Sequence, residues 1–344
     1  MSDKENYPID FVIPWVDGAD PQWLAEKNRW ESVSGKSTTE ADRQWNQGDI
    51  RYRDWDTLRY FFRGVERFAP WVHKVYFITW GHLPPWLNTA HPGLEIVRHE
   101  QYIPAEFLPT FNSHTIELNL HRIRGLSDHF VYYNDDTFLT APVRQEDFFC
   151  NGLPCDSAVL NPIPMDRKVQ HAEINNIAVI NDHFEKNEVI RRNLFKWFNL
   201  KYGTKLFRTC LMLPWKHFVG LYEPHLPNSY LKSTFETVWA AEADELRAAC
   251  ACKFRDRSNV NQCLFRNWQI AQGNFSPRSL RIGQSFMYGE GGNYDEVCAA
   301  VAEGRRKMIC INDSEAVDDF ALRKTRLITA FEKLLPEKSE FEIA

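Results

Sequence analysis

Neither G-x-G-x-x-G nor G-x-x-x-x-G-K-[ST] occurs in the 344 residues. A dinucleotide oxidoreductase or a P-loop nucleotidase therefore loses its usual support. No run approaches the roughly 18 apolar residues of a membrane-spanning helix. The opening MSDKENYPID has no apolar core of a secretory signal. Cysteine is sparse, with eight in the whole chain, and only Cys250 and Cys252 form a C-x-C pair. That excludes a disulfide scaffold and gives no zinc-like spacing, so reduced, cytoplasmic thiols are the expectation. Strong positive charge is also missing: the net charge of -5 offers no global attraction for nucleic acid.

What is present is ordinary globular material, 44% apolar and 25% charged, long enough for one large domain or two. Apolar runs at Ile9 to Val16, Lys74 to Trp80, Leu94 to Val97, Phe130 to Tyr133 and Lys307 to Ile311 read as strands. Between the first two, Leu58, Phe61, Phe62, Val65 and Ala69 mark the apolar stripe of a helix that Asp54 or Asp56 can cap. The alternation predicts an α/β fold: a mainly parallel, Rossmann-like or nucleotide-sugar-transferase-like sheet flanked by helices. The expected organisation is 1–182 as the first part of the core, 183–250 as a mostly helical, basic-aromatic insertion, and 251–344 as the remainder with a closing helix. Residues 31–49 read as a polar surface loop. A single helix is expected over 229–250, and another after Asn312-Asp313-Ser314 with Ser314 as its cap.

The stretch His114 to Asp136 concentrates the chemistry. His114, Glu117 and His121 fall at i, i+3 and i+7, hence on one helical face. A Gly-Leu-Ser turn and the strand follow, ending in Asn134-Asp135-Asp136. Adjacent carboxylates at the carboxyl end of a strand suit Mg²⁺ or Mn²⁺, although Asn and Asp there also serve simply to turn a chain. Asp17-Gly18, after the first strand, repeats the pattern, with Gly18 free to take a positive φ. Arg51, Arg53, Arg59, Arg63 and Arg67 either solvate a helix face or reach phosphate by forked hydrogen bonds. His225 sits between Pro224 and Pro227, and Lys253 to Asn261 is rich in hydrogen-bond donors. Residues 186–216 carry eight basic side chains against Glu188 alone, interleaved with aromatics. Such a segment either packs as a helical hairpin with a solvated basic face or meets an anionic surface.

The order of these segments is more telling than any one of them. FVIPWVDGADP, RYRDWDTLRYFFRGVERFAPWVHKVYFIT, LPTFNSHTIELNLHRIRGLSDHFVYYNDD, EPHLPNSYLKSTF with KFRDRSNVNQ, and MICINDS together resemble the sequence blocks of the Stealth family. That family comprises bacterial capsular-polysaccharide hexose-1-phosphate transferases and the catalytic part of the animal lysosomal-enzyme N-acetylglucosamine-1-phosphotransferase. Ile-Pro-Trp stands here where many members have Phe-Thr-Trp, and the animal enzyme's insertions are missing.

The resemblance implies transfer of a hexose or N-acetylhexosamine 1-phosphate from a UDP-sugar such as UDP-GlcNAc to an oligo- or polysaccharide hydroxyl, with release of UMP. A metal-dependent, UDP-releasing glycosyltransferase is the alternative. On this expectation Asp135, Asp136 and Asp17 hold Mg²⁺ or Mn²⁺. Trp15, Asp17, Gly18 and Arg59 shape the uridine-diphosphate pocket, with Arg53 and Asn134 near the phosphates and Asn312 and Asp313 on the floor of the site. His225 acts as general base, Arg255 stabilises charge on the transferred phosphate, and Asp136 completes the catalytic set. His114, Glu117, His121 and Arg122 orient the acidic tip from behind. The expected location is the cytoplasm, with peripheral contact to the anionic inner face of the membrane through 186–216.

Overall fold

A computed structural model of the chain describes residues 7–34, 53–164 and 171–343. Strands β1 (Ile9–Pro14), β2 (Val75–Thr79), β3 (Leu94–Arg98) and β4 (His129–Tyr132) pair in parallel, in the order β3-β2-β1-β4. The apolar runs are nearly continuous because both faces of this sheet are covered. Phe11, Ile13, Phe77, Val131 and Tyr133 enter one core, and Val12, Tyr76, Ile78, Phe130 and Tyr132 the other. Helices Leu58–Phe68, Tyr294–Glu303 and Phe320–Leu334 cover the first face. Helices His171–His183, Lys232–Ala241, Ala243–Ala251 and Cys263–Gln272 cover the second.

Beyond the turn after β4 the chain leaves this sheet. It enters β5 (Thr137–Leu139), and then a small ribbon of β6 (Phe149–Cys150) and β7 (Leu153–Asp156). β8 (Asn228–Leu231) returns to the main sheet, antiparallel to β4. β9 (Ser276–Pro277) joins β7, while β10 (Gly283–Met287) and β11 (Met308–Asn312) form a second three-stranded sheet with β5, in the order β10-β11-β5. The architecture is thus a mixed α/β fold around a mostly parallel sheet, with many helices.

Several expectations change in detail. Residues 31–34 complete the helix Pro21–Ser34; the rest of the anticipated 31–49 loop, and Arg51, lie outside the described residues. The helix expected over 229–250 is instead β8 followed by two helices. The last strand, β11, belongs to the second sheet. The helix after it begins only at Phe320, where the Asp319 carboxylate, not Ser314, accepts from Leu322 N. The cap before Leu58 is Thr57, not Asp54 or Asp56. Gly18 does not use a positive φ, whereas Gly125, in the Gly-Leu-Ser turn, does (φ 82°). The helical frame of His114, Glu117 and His121 is broken. The helix Ser113–Leu118 stops where the Asn119 side chain donates to Thr115 O (2.8 Å), the local competition that ends helices.

Candidate active site

Asn134-Asp135-Asp136 is the crossing between two sheets. Tyr133 N donates to Val12 O of β1 (2.8 Å), and Ile311 N of β11 donates to Asp136 O (2.9 Å). Thr137 closes the turn by donating its N–H and hydroxyl to Asn134 O, at 3.1 and 2.7 Å. With both flanks locked, the three side chains stand at the carboxyl edge of the main sheet, where α/β folds gather ligands.

Two distant segments converge on this turn. Because β8 runs against β4, pairing Asn228 with Tyr132, the preceding Pro-His-Leu-Pro segment arrives at the same edge. His225 takes a positive φ of 49°, rare for a residue with a Cβ. Its Nε2 lies 3.9 Å from an Asp136 carboxylate oxygen and 3.5 Å from Asn134 Nδ2. From the other side, Cys310 of β11 stands opposite Thr137. Asp136, His225 and Cys310 each place a potential ligand atom within 4.8 Å of the others.

Solvent reaches Asp135 and His225, and reaches Asp136 in part, while protein surrounds the turn on most sides. Burial, then the charge of Asp136, pushes the Asp135 carboxyl up to about 7. Burial likewise raises Asp136, with His225 pulling the other way. Asp54 is raised too, first by burial, and its charge bears on Asp135. Asp136 Oδ1 is buried with no hydrogen-bond partner among the described residues. Adjacent carboxylates whose charged forms burial disfavours, one with an unpartnered buried oxygen, make a donor set that suits a divalent cation. Cys310 fits a hard cation less well, since a thiolate is a soft ligand.

Asp17 is not part of the Asp136, His225 and Cys310 group. Its N–H donates to His82 Nε2 (2.7 Å) and its carboxylate accepts from Ala19 N (2.9 Å). Together with Asp20 it opposes the downward pull of burial on the His82 pKa. Trp15, next to it, stacks on Phe77 and meets His82 edge-on. Asp54, read from the sequence only as a helix cap, is a further carboxylate whose charge bears on Asp135, after that of Asp136. Its signal was the Asp54-x-Asp56 spacing just before a helix.

Arg53 and Asp313 meet each other. Arg53 Nε and one terminal nitrogen hold the two Asp313 oxygens at 2.8 and 2.5 Å, and Trp55 Nε1 adds a third bond at 3.0 Å. One fork of Arg53 is therefore committed to protein, not presented to a phosphate. Asn312 donates to Ser285 Oγ and to Cys310 Sγ, each at 3.2 Å, which ties it to the strand beneath Asp136. Arg59 lies over the Trp86 ring, 5.5 Å from its centroid.

Arg255 is joined to the helix Ser113–Leu118, donating to Ser113 Oγ (2.6 Å). Glu117 is buried there. It accepts from Tyr132 Oη (3.2 Å), and burial raises its carboxyl to about 7 despite the nearby Arg255 charge. Tyr132 belongs to β4, so the Arg255 segment is linked to the strand that ends in Asn134. His114 is buried on the same helix. His121 and Arg122 turn elsewhere. His121 lies between Phe235 and Trp239, where burial lowers it to about 3, and Arg122 covers Trp239. Both thus pack on the helix Lys232–Ala241, which begins beside Asp128, at the end of β4 opposite the acidic turn.

Similarity to known proteins completes the description. The family model for Stealth protein CR1, conserved region 1, matches residues 7–32, and that for CR2, conserved region 2, matches 51–155. A capsular polysaccharide phosphotransferase WcwK of Streptococcus pneumoniae is 41% identical, covering 98% of this chain and 99% of that one. The exopolysaccharide phosphotransferase cps2G of Lactiplantibacillus plantarum is 38% identical over 98% and 96% of the two chains. Among solved structures, the galactosyltransferase LgtC, in complex with donor and acceptor sugar analogues, aligns over 96% of this chain and 98% of that one. Its TM-score is 0.38 and its identity 9%. With relatives this similar over nearly the full length of both partners, the chain belongs to the Stealth family.

Proposed function

We propose that the protein transfers a hexose or N-acetylhexosamine 1-phosphate from a UDP-sugar to a carbohydrate hydroxyl in the synthesis of a bacterial cell-surface polysaccharide. The observation that carries this reading is the solvent-reached acidic turn with the His225 imidazole 3.9 Å from Asp136, in a chain so similar to polysaccharide phosphotransferases. Phosphoryl transfer asks a protein for positioning and charge neutralisation more than for covalent chemistry. The acceptor oxygen bonds to the phosphorus that carries the sugar. The bond from that phosphorus to the bridging oxygen breaks, and UMP leaves. His225 takes the acceptor proton at Nε2, and Asp136 stabilises the imidazolium that results. Arg255, held by Ser113 and with its charge felt by Glu117, faces the charge on the transferred group. Asp135 and Asp136 would hold Mg²⁺ or Mn²⁺, which when bound supplies positive charge for the diphosphate. Trp15, Gly18 and Arg59 serve the uridine side of the donor.

The test is to incubate the protein with Mg²⁺, a panel of UDP-hexoses and short oligosaccharide acceptors, and to identify the nucleotide released. Acceptor-dependent UMP is the expected product. UDP would show that the sugar–oxygen bond breaks instead, making the protein a glycosyltransferase and overturning the proposal.

A further inference from the structure

The basic segment has an inverted polarity. Trp197 and Tyr202 are buried, and two lysines point inward with them. Lys186 Nζ donates to Met212 O and Leu213 O (2.8 and 2.9 Å), and Lys196 Nζ to Gly273 O (2.6 Å). The large apolar side chains point outward. Phe195 is 87% exposed, Leu200 89%, Phe207 67%, Trp215 51%, Leu211 50% and Leu194 48%. Among the described residues elsewhere, the exposed large apolar side chains are Val33, Leu83, Met287, Leu322 and Ile343, no two of them close in sequence. A helix face that meets only water has the opposite arrangement. The segment is also firmly seated: Thr209 Oγ1 accepts from Leu160 N and Tyr202 Oη donates to Lys196 O, so the outward side chains are fixed features of the fold.

The same stretch carries the exposed cations Arg191, Arg192, Lys201, Arg208 and Lys216, of which Arg192 pairs with Glu188 while Lys201 and Arg208 donate to Pro277 O and Asn161 Oδ1. No aspartate or glutamate occurs between Glu188 and Glu223. We propose that residues 191–216 form a docking surface for a lipid bilayer containing anionic headgroups, with the Phe, Leu and Trp side chains entering the interface and the cations meeting the headgroups. The combination is that of an interfacial membrane anchor. A sugar polymer would leave Leu194, Leu200 and Leu211 without a use. A second copy of the chain would set two segments of the same charge against each other across a two-fold axis.

The segment reaches the stretch of chain that leads to the candidate site through Lys205. Lys205 Nζ lies 3.9 Å from the centre of the Tyr222 ring, three residues before His225. The inference goes beyond the proposed reaction and does not rest on it, since loss of vesicle binding would leave the nucleotide assay unaffected.

The test is flotation of the full chain with vesicles of phosphatidylcholine alone or with phosphatidylglycerol added. Binding that needs phosphatidylglycerol and weakens with salt is expected. The triple variant Phe195→Ser, Leu200→Ser, Phe207→Ser should reduce it by about tenfold or more. The pair Arg191→Glu, Lys216→Glu should weaken it independently. All these positions are exposed, so melting and turnover on a soluble acceptor should stay at wild-type levels. Failure of the wild type to bind the anionic vesicles, or unchanged binding by the triple variant, overturns the proposal. So does a dimer, seen by light scattering, that the triple variant abolishes while vesicle binding is absent.

Discussion

Glu342 and Glu117 are both buried carboxylates close to an arginine, yet their protons respond in opposite ways. Burial pushes Glu342 upward, but two hydrogen bonds from Arg63, at 2.8 and 3.1 Å, and one from Ser339 N overcome it and hold the group below its usual range. Arg63 in turn donates to Leu335 O, so the pair clamps the last residues onto the helix Leu58–Phe68. Around Glu117 burial prevails. Arg255 donates to Ser113 and acts on the carboxylate only through its charge, and the carboxyl stays near 7. Proximity of an arginine is therefore a poor guide to purpose. A fully forked pair is a fastening, whereas an incompletely satisfied one leaves an arginine with capacity for a further anion.

Breaking the fastening should give the largest effect. Arg63→Ala strands the Glu342 charge in the core and should cost about 3–5 kcal/mol of stability, read by urea denaturation. The activity of the molecules that remain folded should be unchanged. Loss of activity per folded molecule would instead tie Arg63 to the site.

Arg255→Ala, Asp136→Ala and His225→Ala should do the reverse, each lowering turnover by about 10²-fold or more with much smaller shifts in melting. If all three fold and stay near wild-type rates, the assignment of the site is wrong.

The smallest effect, and the sharpest test of the comparison, is in the pH dependence. A carboxyl raised from 4.5 to about 7 binds its proton more tightly in the folded chain. Its contribution to stability is complete below the unfolded value and is lost as pH rises toward 7. Glu117→Gln, which keeps the neutral form, should flatten that part of the stability profile. Glu342→Gln should show its deficit above the unfolded value, because a depressed carboxyl stabilises there and loses its contribution as pH falls. Parallel profiles for the two variants would remove the distinction drawn above.

The parts of this protein that were legible in its sequence are those set by local pattern. Phe130 to Tyr133 announced a strand buried on both faces, and the polar residues after it fell at the strand's end, as sheet geometry requires. What escaped was long-range. Nothing local marks Asn228–Leu231 as a strand, because its pairing with β4 is what makes it one. Cys310 could not be matched to Asp136, nor Asp313 to Arg53, since no periodicity links residues so far apart. His121 was misplaced for a different reason: a heptad-like spacing means one face only while the helix lasts, and Asn119 ends it. In 186–216 composition gave the charge correctly but could not say that Lys186 and Lys196 turn inward while Phe195 and Leu200 turn out.

The crossing at Asn134–Asp136 also has a consequence for the newly made chain. Its second flank is β11, which pairs with β5 only after Met308–Asn312 has been synthesised, and the Arg53 fork closes on Asp313, one residue later. A nascent chain can complete β1 to β4 early, since those pairings need nothing beyond residue 132. It then carries its acidic turn tethered on one side until β11 has been made, about 10–40 s at roughly 5–20 residues per second. Emergence of β11 is thus the event that assembles the site, which ties competence to synthesis of Met308–Asn312.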